Sequence, residues 1–504
     1  MKVLLVGILP AYDASYSLGL SAIKAYTLKR VSDLQEHIEI SIELFSTQEI
    51  LDQYDCVVDI NLLLDRICGL SPDIIGFSCY VWNMEPVLHL SRLLKLLVPN
   101  VCIVLGGPEV SAVAEEVLSL HPFIDIIVRG EGEQAFAEVV LSFITGQPSL
   151  DDVKGISFHQ DQVVKRNASR APLDHLDKIP SIRLSGLVSE MQNKRRIIWE
   201  TCRGCPFGCH YCYYSGDNKH HVRTYSMERI KSELLSFCEE EVEWVTCVDG
   251  TFNFDPQRTC EILEFIRVHN RRTKFLFSVK VELLNRECIA ILNALAEEKA
   301  LGEIEIGLQS ANPEALVRIN RSWDSHRFLD NLSLFSPSLR AITRIDLMYG
   351  LPGDNYAGFK NSLGYVIGSL GIHRISAYRL NVLPGTHLYQ HPDAFGLVFD
   401  KCPPHYVYST DSYSYEDILR SKTLAASLCL LEGSIERVCS MLTEELRIEL
   451  IDILEQYAAW RYRENRREND RRALAESFFI ELCLQLGRCD LILPILSALR
   501  VCAS

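Results

Sequence analysis

The chain has 504 residues, 48% of them apolar and 23% charged, a balance that excludes a disordered chain and predicts two or three domains with sizeable cores. A formal charge of −15 argues against broad nucleic-acid binding, because surfaces that follow phosphates are basic. No stretch is long and apolar enough to cross a bilayer, and eighteen cysteines without a secretory signal predict a reducing cytoplasm and metal or redox chemistry rather than disulfides.

The first part of the chain alternates between short apolar runs and helical stretches. Because these runs are apolar almost throughout, they are typical of parallel strands buried on both faces of a doubly wound sheet. We therefore predict a Rossmann-like domain over residues 1–145. The predicted strands span 2–8, 39–45, 72–79, 101–107 and 124–130, and the predicted helices span 17–30, 59–69, 85–97, 111–120 and 133–145.

Glycine-rich loops follow three of these strands. Ligands of such sheets bind beyond the carboxyl ends of the strands, which is where GFSCYVWN, LGGPEVS and VRGEGEQAF lie. The glycines allow the backbone to approach a flat ligand closely, although each loop alone could be only a tight strand-to-helix turn. No G-x-G-x-x-G follows the first strand, so the pattern disfavours a dinucleotide site.

Residues 146–194, rich in Gly, Pro, Asp and Ser, predict a linker with a candidate hairpin at 155–166. A second alternating series follows and predicts a partial (β/α)6 barrel of the TIM type over 195–395, with its site at the carboxyl rim. The remainder, 396–504, is predicted to be mainly helical. The barrel strands are expected at 195–201, 243–250, 274–281, 303–310, 341–350 and 374–382.

Three cysteines with the spacing C-x-x-x-C-x-x-C, Cys205, Cys209 and Cys212, come directly after the first barrel strand. Three thiolates can hold three corners of a four-iron cluster and leave the fourth iron open to a small molecule. Counting Cys202 as well would give a closed zinc site of four cysteines. Its two pairs would be only three residues apart, closer than in zinc ribbons, so we expect Cys202 to be a packed residue.

The loop CRGCPFGCHYCYY resembles that of radical S-adenosylmethionine (SAM) enzymes, and LGGPEVS and GEGEQAF resemble their cobalamin-binding subclass. Similar stretches follow in the family's order as DGTFNFD, IEIGLQSANPEAL, IDLMYGLPGDN, LNVLPGTHLY and CPPHYVYST. The resemblance runs from about residue 1 to 410. It implies three cofactors, a [4Fe-4S] cluster, SAM and cobalamin, and a C-terminal region that carries substrate specificity.

The resemblance also implies roles for single residues. Cys205, Cys209 and Cys212 would bind the cluster, and Tyr211 would pack on the adenine of SAM. The implied catalytic residues are Tyr211, Asp249 and Glu282. The other SAM contacts would come from Lys280, Glu305, Gln309, Ser310, Gly350 and the rest of the stretch 249–252. The implied cobalamin contacts are Ser78, Gly106, Gly107, Pro108, Glu109, Gly130, Glu131 and Gly132.

The function implied by the resemblance is a methyltransferase of class B type, which methylates an unactivated carbon of a metabolite or natural product by way of methylcobalamin and a 5′-deoxyadenosyl radical. The first loop lacks D-x-H-x-x-G, so by analogy cobalt would have a weak or absent lower ligand. The implied partners are a small-molecule or peptide substrate and a flavodoxin or ferredoxin as electron donor, without nucleic acid or membrane. Two alternatives stay open: a cyclase or rearrangement enzyme without net methyl transfer, and a non-catalytic cobalamin or iron sensor.

Overall fold

The computed structural model describes residues 1–10, 16–32, 34, 38–46, 60–161, 163–189, 194–215, 221–240, 242–431, 433–446, 448–463 and 471–500. Two large sheets dominate it, one from the N-terminal third and one from the middle of the chain. Within these described ranges, no helix combines the length and the apolar character needed to cross a membrane.

The N-terminal sheet has seven strands in the order β2-β1-β3-β4-β5-β6-β7. The first five in sequence pair in parallel, and β6 and β7 add an antiparallel hairpin at one edge. The hairpin expected at 155–166 therefore forms, and it extends this sheet beyond residue 145. The strands are β1 Lys2–Leu9, β2 Glu39–Ser46, β3 Ile74–Ser78, β4 Cys102–Gly106, β5 Ile126–Val128, β6 Ile156–Gln160 and β7 Val163–Arg166.

Helices cover both faces of this sheet. Along β1, Val3 and Leu5 belong to the core on one face, and Leu4 and Val6 belong to the core on the other. This double burial explains why the strands read as continuous apolar runs, and it confirms the predicted doubly wound fold. The helices are α1 Leu18–Val31, α2 Ile60–Leu70, α3 Met84–Leu97, α4 Pro108–Ser111, α5 Ala114–Leu120 and α6 Gly132–Thr145.

The second sheet has six parallel strands in the order β15-β14-β13-β12-β11-β8. Because β8 and β15 are its two edges, the sheet is an open, partial barrel, as predicted. Along the central strand, Ile304 and Ile306 are buried in the core, while Glu303 and Glu305 lie on the opposite face. The strands are β8 Arg196–Trp199, β11 Trp244–Cys247, β12 Lys274–Val279, β13 Leu301–Gln309, β14 Thr343–Tyr349 and β15 Ile375–Arg379.

Seven helices cover the outside of this sheet within the described ranges: α7 Met227–Glu239, α8 Pro256–His269, α9 Arg286–Glu297, α10 Pro313–Arg318, α11 Ser325–Ser333, α12 Pro337–Ala341 and α13 Tyr356–Gly364. Two short antiparallel pairs complete the strands: β9 Cys202–Arg203 with β10 Arg223–Thr224, and β16 Val398–Phe399 with β17 Val407–Ser409. The last part of the chain is helical, as predicted, and packs into the same core as the barrel. Its helices, with the short one that precedes them, are α14 His387–Gln390, α15 Tyr415–Ala426, α16 Gly433–Leu446, α17 Leu450–Arg463, α18 Arg471–Gln485 and α19 Ile492–Arg500.

One cysteine departs from expectation. The cysteine content predicts metal or redox chemistry rather than disulfides, yet Cys288 forms a disulfide with Cys260, so that the bridge joins α8 to α9. The two residues are 28 positions apart in sequence, and the side-by-side packing of the first turns of the two helices brings their Cα atoms to 5.2 Å.

Tyr16, from the N-terminal domain, caps the free edge of β8. Its hydroxyl donates to the carbonyl of Ile198 and accepts from the N–H of the same residue. An edge strand otherwise presents unpaired backbone groups, and Tyr16 is fully buried where it meets this one. The strand that leads into the predicted cluster loop is therefore fastened to the N-terminal domain.

Replacing Tyr16 by Phe should lower the unfolding free energy by about 1–3 kcal/mol, because the buried backbone groups of Ile198 lose their partner. The urea midpoint, followed by tryptophan fluorescence, measures this loss. Tyr415→Phe is the matched control, since Tyr415 is 52% exposed and should tolerate the change. Equal midpoints for wild type and Tyr16→Phe would contradict the prediction.

Candidate functional site

A cavity of about 160 Å³ lies at the carboxyl ends of the N-terminal strands, between the sheet and the helices α1 and α6. The structure brings six of the eight predicted cobalamin contacts together around it. Arg203, from the second half of the chain, also lines it. The six predicted residues are Ser78, Gly106, Gly107, Gly130, Glu131 and Gly132.

Two glycines show how the cavity is shaped. Gly107 has φ +112°, and a Cβ there would lie 2.5 Å from the carbonyl oxygen of Cys79, so no larger residue fits. Gly130 has φ +76°, and a Cβ there would meet nothing within 4 Å. The missing side chain at Gly130 leaves its surroundings open to the cavity, which is the shape that a flat ligand and its tail require.

Pro108 and Glu109 begin α4 and do not line this cavity. The Glu109 carboxylate lies 2.6 Å from Nε2 of His405, and both side chains are buried. Glu109 therefore anchors the hairpin β16–β17 to the N-terminal domain, a role different from the predicted cobalamin contact.

The loop after β8 carries the three cysteines predicted to bind the cluster. It turns sharply at Gly204, where φ is +96° and a Cβ would lie 2.5 Å from the carbonyl oxygen of His221. Burial, and then the neighbouring Cys209 and Cys205, raise the pKa of Cys212 to about 11. The thiols thus lie close enough to couple electrostatically. Among the described residues, no three His, Cys, Asp or Glu side chains are already arranged as a metal site. The three thiols would therefore have to turn towards one another when a cluster binds.

Cys202 lies apart from this set. It is buried in β9, and its N–H donates to Asp249 Oδ1 at 3.1 Å. Burial, and then the Asp249 carboxylate, raise the pKa of its thiol. Cys202 lies in β9, before the loop that carries the other three cysteines, so the arrangement favours three cysteine ligands over a closed site of four.

Asp249 has a role different from the predicted contact with SAM. Its carboxylate is buried and accepts from the N–H of Thr201 at 2.7 Å, from the N–H of Cys202 and from the Thr201 hydroxyl. Arg258 Nη2 lies 4.0 Å from the same carboxylate and donates to the Thr201 carbonyl at 3.2 Å. Asp249 therefore holds the start of the cluster loop.

Arg321 is a site residue that the sequence reasoning missed. Its guanidinium reaches Cys209 Sγ at 3.7 Å and the Tyr211 hydroxyl at 3.4 Å, and it donates to the carbonyl of Gly307. This half-buried cation stands beside the predicted cluster ligands and compensates their negative charge. No local pattern marks it, because Cys209 is 112 residues away in sequence.

The predicted catalytic residue Glu282 is buried and paired. Lys280 Nζ lies 3.0 Å from its carboxylate, donates to the carbonyl of Ser322 at 2.6 Å, and stands 5.0 Å from the ring centroid of Phe207. Phe207 belongs to the cluster loop, so the pair supports this loop from the barrel side. The positive charge of Lys280 faces the aromatic ring, which favours a cation.

Gln309 lies in a bulge at the carboxyl end of β13. The pairing with β14 shifts register between Gly307 and Gln309, and Gln309 has φ +73°. This conformation costs about 1–3 kcal/mol for a residue other than glycine, and such strain is concentrated at functional sites. A Cβ at Gly307 would lie 2.5 Å from the side-chain nitrogen Nε2 of Gln309, so the glycine makes room for the Gln309 side chain.

Two other predicted SAM contacts face the protein interior. Ser310 is fully buried and donates to Asp354 Oδ2 at 3.0 Å. Gly350 has φ +83°, and a Cβ there would lie 2.8 Å from side-chain atoms of both Val407 and Ile418. The space beside Gly350 is therefore filled by the C-terminal region rather than left for adenine.

A charged cluster occupies the concave face of the barrel. Arg344 pairs with Glu305 and lies 3.4 Å from Glu303 and 3.3 Å from Asp346. Ser278 donates to Glu305 as well, so this predicted SAM contact is already engaged. Burial raises the pKa of Asp346 to about 6, against the opposing effect of Arg344.

Comparison with known proteins recognises both halves of the chain. The B12 binding domain family matches residues 47–140, and the radical SAM superfamily matches residues 199–366. Cobalamin-dependent radical SAM methyltransferase TokK of Streptomyces tokunonensis is 27% identical over 334 residues, which are 63% of this chain and 48% of TokK. The 2-(S-pantetheinyl)-carbapenam-3-carboxylate methyltransferase of Streptantibioticus cattleyicolor is 26% identical over 325 residues, 62% of this chain and 47% of that enzyme.

The chain thus spans about half the length of these curated relatives. Among solved structures, the cobalamin-dependent S-adenosylmethionine radical enzyme OxsB, with aqua-cobalamin and S-adenosylmethionine bound, superimposes with a TM-score of 0.64 at 16% identity. The superposition covers 99% of this chain and 78% of the OxsB chain. This likeness confirms the predicted order of a doubly wound domain, a partial barrel and a helical C-terminal part.

Asp249→Ala should lower the unfolding temperature of the chain purified without cofactors. The N–H groups of Thr201 and Cys202 would lose a buried acceptor, at a cost of about 1–3 kcal/mol for each unsatisfied group. Differential scanning calorimetry measures the shift, and Glu264→Ala, at a surface carboxylate paired with Arg267, serves as control. If Asp249 only contacted a cofactor, the cofactor-free chain would keep its unfolding temperature.

Asp346→Asn should stabilise the protein more at pH about 8 than at pH about 4. The raised pKa means that the folded state binds the proton more tightly than the unfolded state, whose carboxyl titrates near its ordinary value of about 4. Wild type therefore loses stability as pH rises from about 4 to about 6, whereas the amide does not titrate. Urea midpoints of both proteins at the two pH values test this, and a constant difference would refute it.

Proposed function

Because this chain belongs to the radical SAM proteins that carry a B12-binding domain, we propose that it is a methyltransferase of class B type acting on an unactivated carbon of a small molecule. One observation carries the proposal. Arg203 lines the cavity of the N-terminal domain and stands two residues before Cys205, so the two candidate cofactor sites adjoin each other.

The residues present fit the cofactors that the two families name. The thiols of Cys205, Cys209 and Cys212 would hold a [4Fe-4S] cluster, and the glycine-lined cavity would hold part of cobalamin. When bound, the cluster, SAM and cobalamin supply the electron, the 5′-deoxyadenosyl radical and the methyl group of the reaction.

The chain's own contribution is charge compensation, orientation and exclusion of water. Arg321 supplies positive charge beside Cys209, which would compensate the negative charge of a bound cluster and its ligands. The contact of Glu109 with His405 closes the hairpin β16–β17 against the N-terminal domain. Such closure keeps solvent and oxygen away from a reactive radical, which is the main task of the protein in cofactor-driven chemistry.

The relatives support methyl transfer, since TokK and the carbapenam enzyme are both named as methyltransferases. The chain covers less than half of each, so their substrates give only a class, a small molecule, for the substrate here. A low-potential flavodoxin or ferredoxin is the proposed electron donor, because the cluster has to be reduced before it can cleave SAM. The C-terminal helices, which pack on the strand end at Gly350, are the proposed carriers of specificity.

The test is anaerobic reconstitution with iron, sulfide and cobalamin, followed by incubation with SAM and dithionite. We expect both 5′-deoxyadenosine and S-adenosylhomocysteine, measured by mass spectrometry. Replacing Cys205, Cys209 or Cys212 by Ala should abolish deoxyadenosine and lower the iron content, because a cluster lacking one ligand is labile. Cys202→Ala is the matched control and should keep both.

Three outcomes would contradict the proposal in different ways. Deoxyadenosine with little S-adenosylhomocysteine would point to cyclisation or rearrangement without methyl transfer. Absence of both products from cluster-loaded protein would point to a sensor. Loss of iron in Cys202→Ala would return the closed site of four cysteines.

A further inference from the structure

Arg203 joins three carboxylates that come from both halves of the chain. Its Nη2 donates to Glu133 Oε1 at 2.7 Å, its Nε donates to Glu200 Oε2 at 2.9 Å, and its Nη1 lies 3.7 Å from Glu131 Oε2. Glu131 and Glu133 belong to the loop and helix start that shape the cavity, whereas Glu200 directly follows the first barrel strand. One guanidinium therefore spans the boundary between the two candidate cofactor sites.

A second arginine completes this network. Arg223 Nη1 lies 3.2 Å from Glu131 Oε2 and donates to the Leu173 carbonyl at 2.9 Å, and its Nη2 also donates to Glu131. Arg203 and Arg223 are directly opposed in the β9–β10 pair that flanks the cluster loop. Like charges in opposed positions of a two-stranded pair repel each other, and Glu131, which is close to both arginines, offsets that repulsion. The local structure around the cluster loop thus depends on a residue of the N-terminal domain.

Burial makes the loss of any one member of this network costly. The side chains of Arg203, Glu133 and Arg223 are almost entirely enclosed. When one partner of a buried ion pair is removed, the remaining charge is left without compensation, which is far more costly than losing a surface pair. Glu200 is shared with the Tyr225 hydroxyl at 3.0 Å, so this third carboxylate also has two partners.

We propose that Arg203 is a positioning residue, which sets the distance and orientation between the cluster loop and the cobalamin cavity. The inference rests on the proposed function and deepens it, because it names the group that makes the two sites act together. The planar fork of arginine suits this task, since three of its nitrogens address three carboxylates in fixed directions. Lysine would keep the charge and lose the geometry.

The experiment compares Arg203→Gln and Arg203→Lys with wild type. The control is Arg195→Gln. The side chain of Arg195 is 69% exposed and pairs with Glu243 at the surface. The first readout uses the chain without cofactors: hydrogen exchange of the peptides around 126–133 and 199–204, which carry Arg203 and its carboxylate partners and precede the cluster cysteines. We expect both segments to exchange faster in the two Arg203 variants than in wild type. In Arg195→Gln their exchange rates should be unchanged.

The second readout uses protein reconstituted with cluster and cobalamin, without substrate. Methyl transfer from SAM to cob(I)alamin, measured as S-adenosylhomocysteine, should fall by about 10- to 100-fold in Arg203→Gln, because a misplacement of about 1 Å can cost that much. Deoxyadenosine formation at the cluster should stay within about threefold, because it does not require cobalamin. Pulsed electron paramagnetic resonance of cob(II)alamin and the reduced cluster should show a broader distance distribution.

Parallel loss of both products in Arg203→Gln, or an unchanged distance distribution, would overturn the positioning role. Glu133→Gln should show the same split, and the double variant should be little worse than either single one, because both remove the same pair. Strict additivity of the two effects would also overturn the role. If wild type loads neither cofactor, the proposed function fails, and the exchange experiment on cofactor-free chain still decides whether Arg203 joins the two segments.

Discussion

The ion pairs around Arg203 join the two halves of this protein where their chemistry has to meet. Buried charges lose their hydration, and that cost is offset only when each charge has a partner in good geometry. Apolar contact is not directional, so two domains joined by it alone can slide. A guanidinium held by Glu133, Glu131 and Glu200 has one favourable arrangement, and it places the cavity beside the cluster loop.

The topology of both sheets supports this meeting point. Parallel strands all end at the same edge, so each sheet gathers its loops on one side. The barrel strands follow one another in sequence order, which puts β8, the strand before the cluster loop, at the edge of the sheet. Tyr16 pairs with the backbone of this edge at Ile198. The N-terminal domain therefore replaces the strand that would have closed the barrel at this edge.

The local sequence pattern was enough to predict the helices and strands. It did not predict the contacts between residues that are far apart in sequence. Strands such as β13 and helices such as α6 follow from apolar periodicity within a few residues, and the cysteine spacing lies within one loop. The contact of Arg321 with Cys209 spans 112 residues, and that of Glu109 with His405 spans 296. Such pairs depend on how whole layers pack, and no property of either residue reveals its partner. The hairpin at 155–166 shows the same limit, since its turn was predictable and the sheet edge that it joins was not.

Residues that hold a site and residues that touch a ligand are easily confused in a sequence. The loop after a parallel strand leaves backbone N–H groups unpaired, and short polar side chains nearby satisfy them. Asp249 does so for Thr201 and Cys202, and Ser310 accepts from the N–H of Asn312 at 3.0 Å. Both stand at strand ends, where a ligand contact is the usual interpretation.

The two kinds of residue differ in which groups their polar atoms contact. A side chain whose oxygens bind the backbone of a neighbouring loop, as those of Asp249 do, makes that neighbouring loop rigid. Positions without a side chain, such as Gly130, or with strained backbone, such as Gln309, leave space or direct a group outward. A rigid loop is needed in either case, because three cysteines can share a cluster only if the backbone between them keeps its turns. The Asp249 carboxylate, which holds that backbone, is therefore as necessary to the site as the thiols.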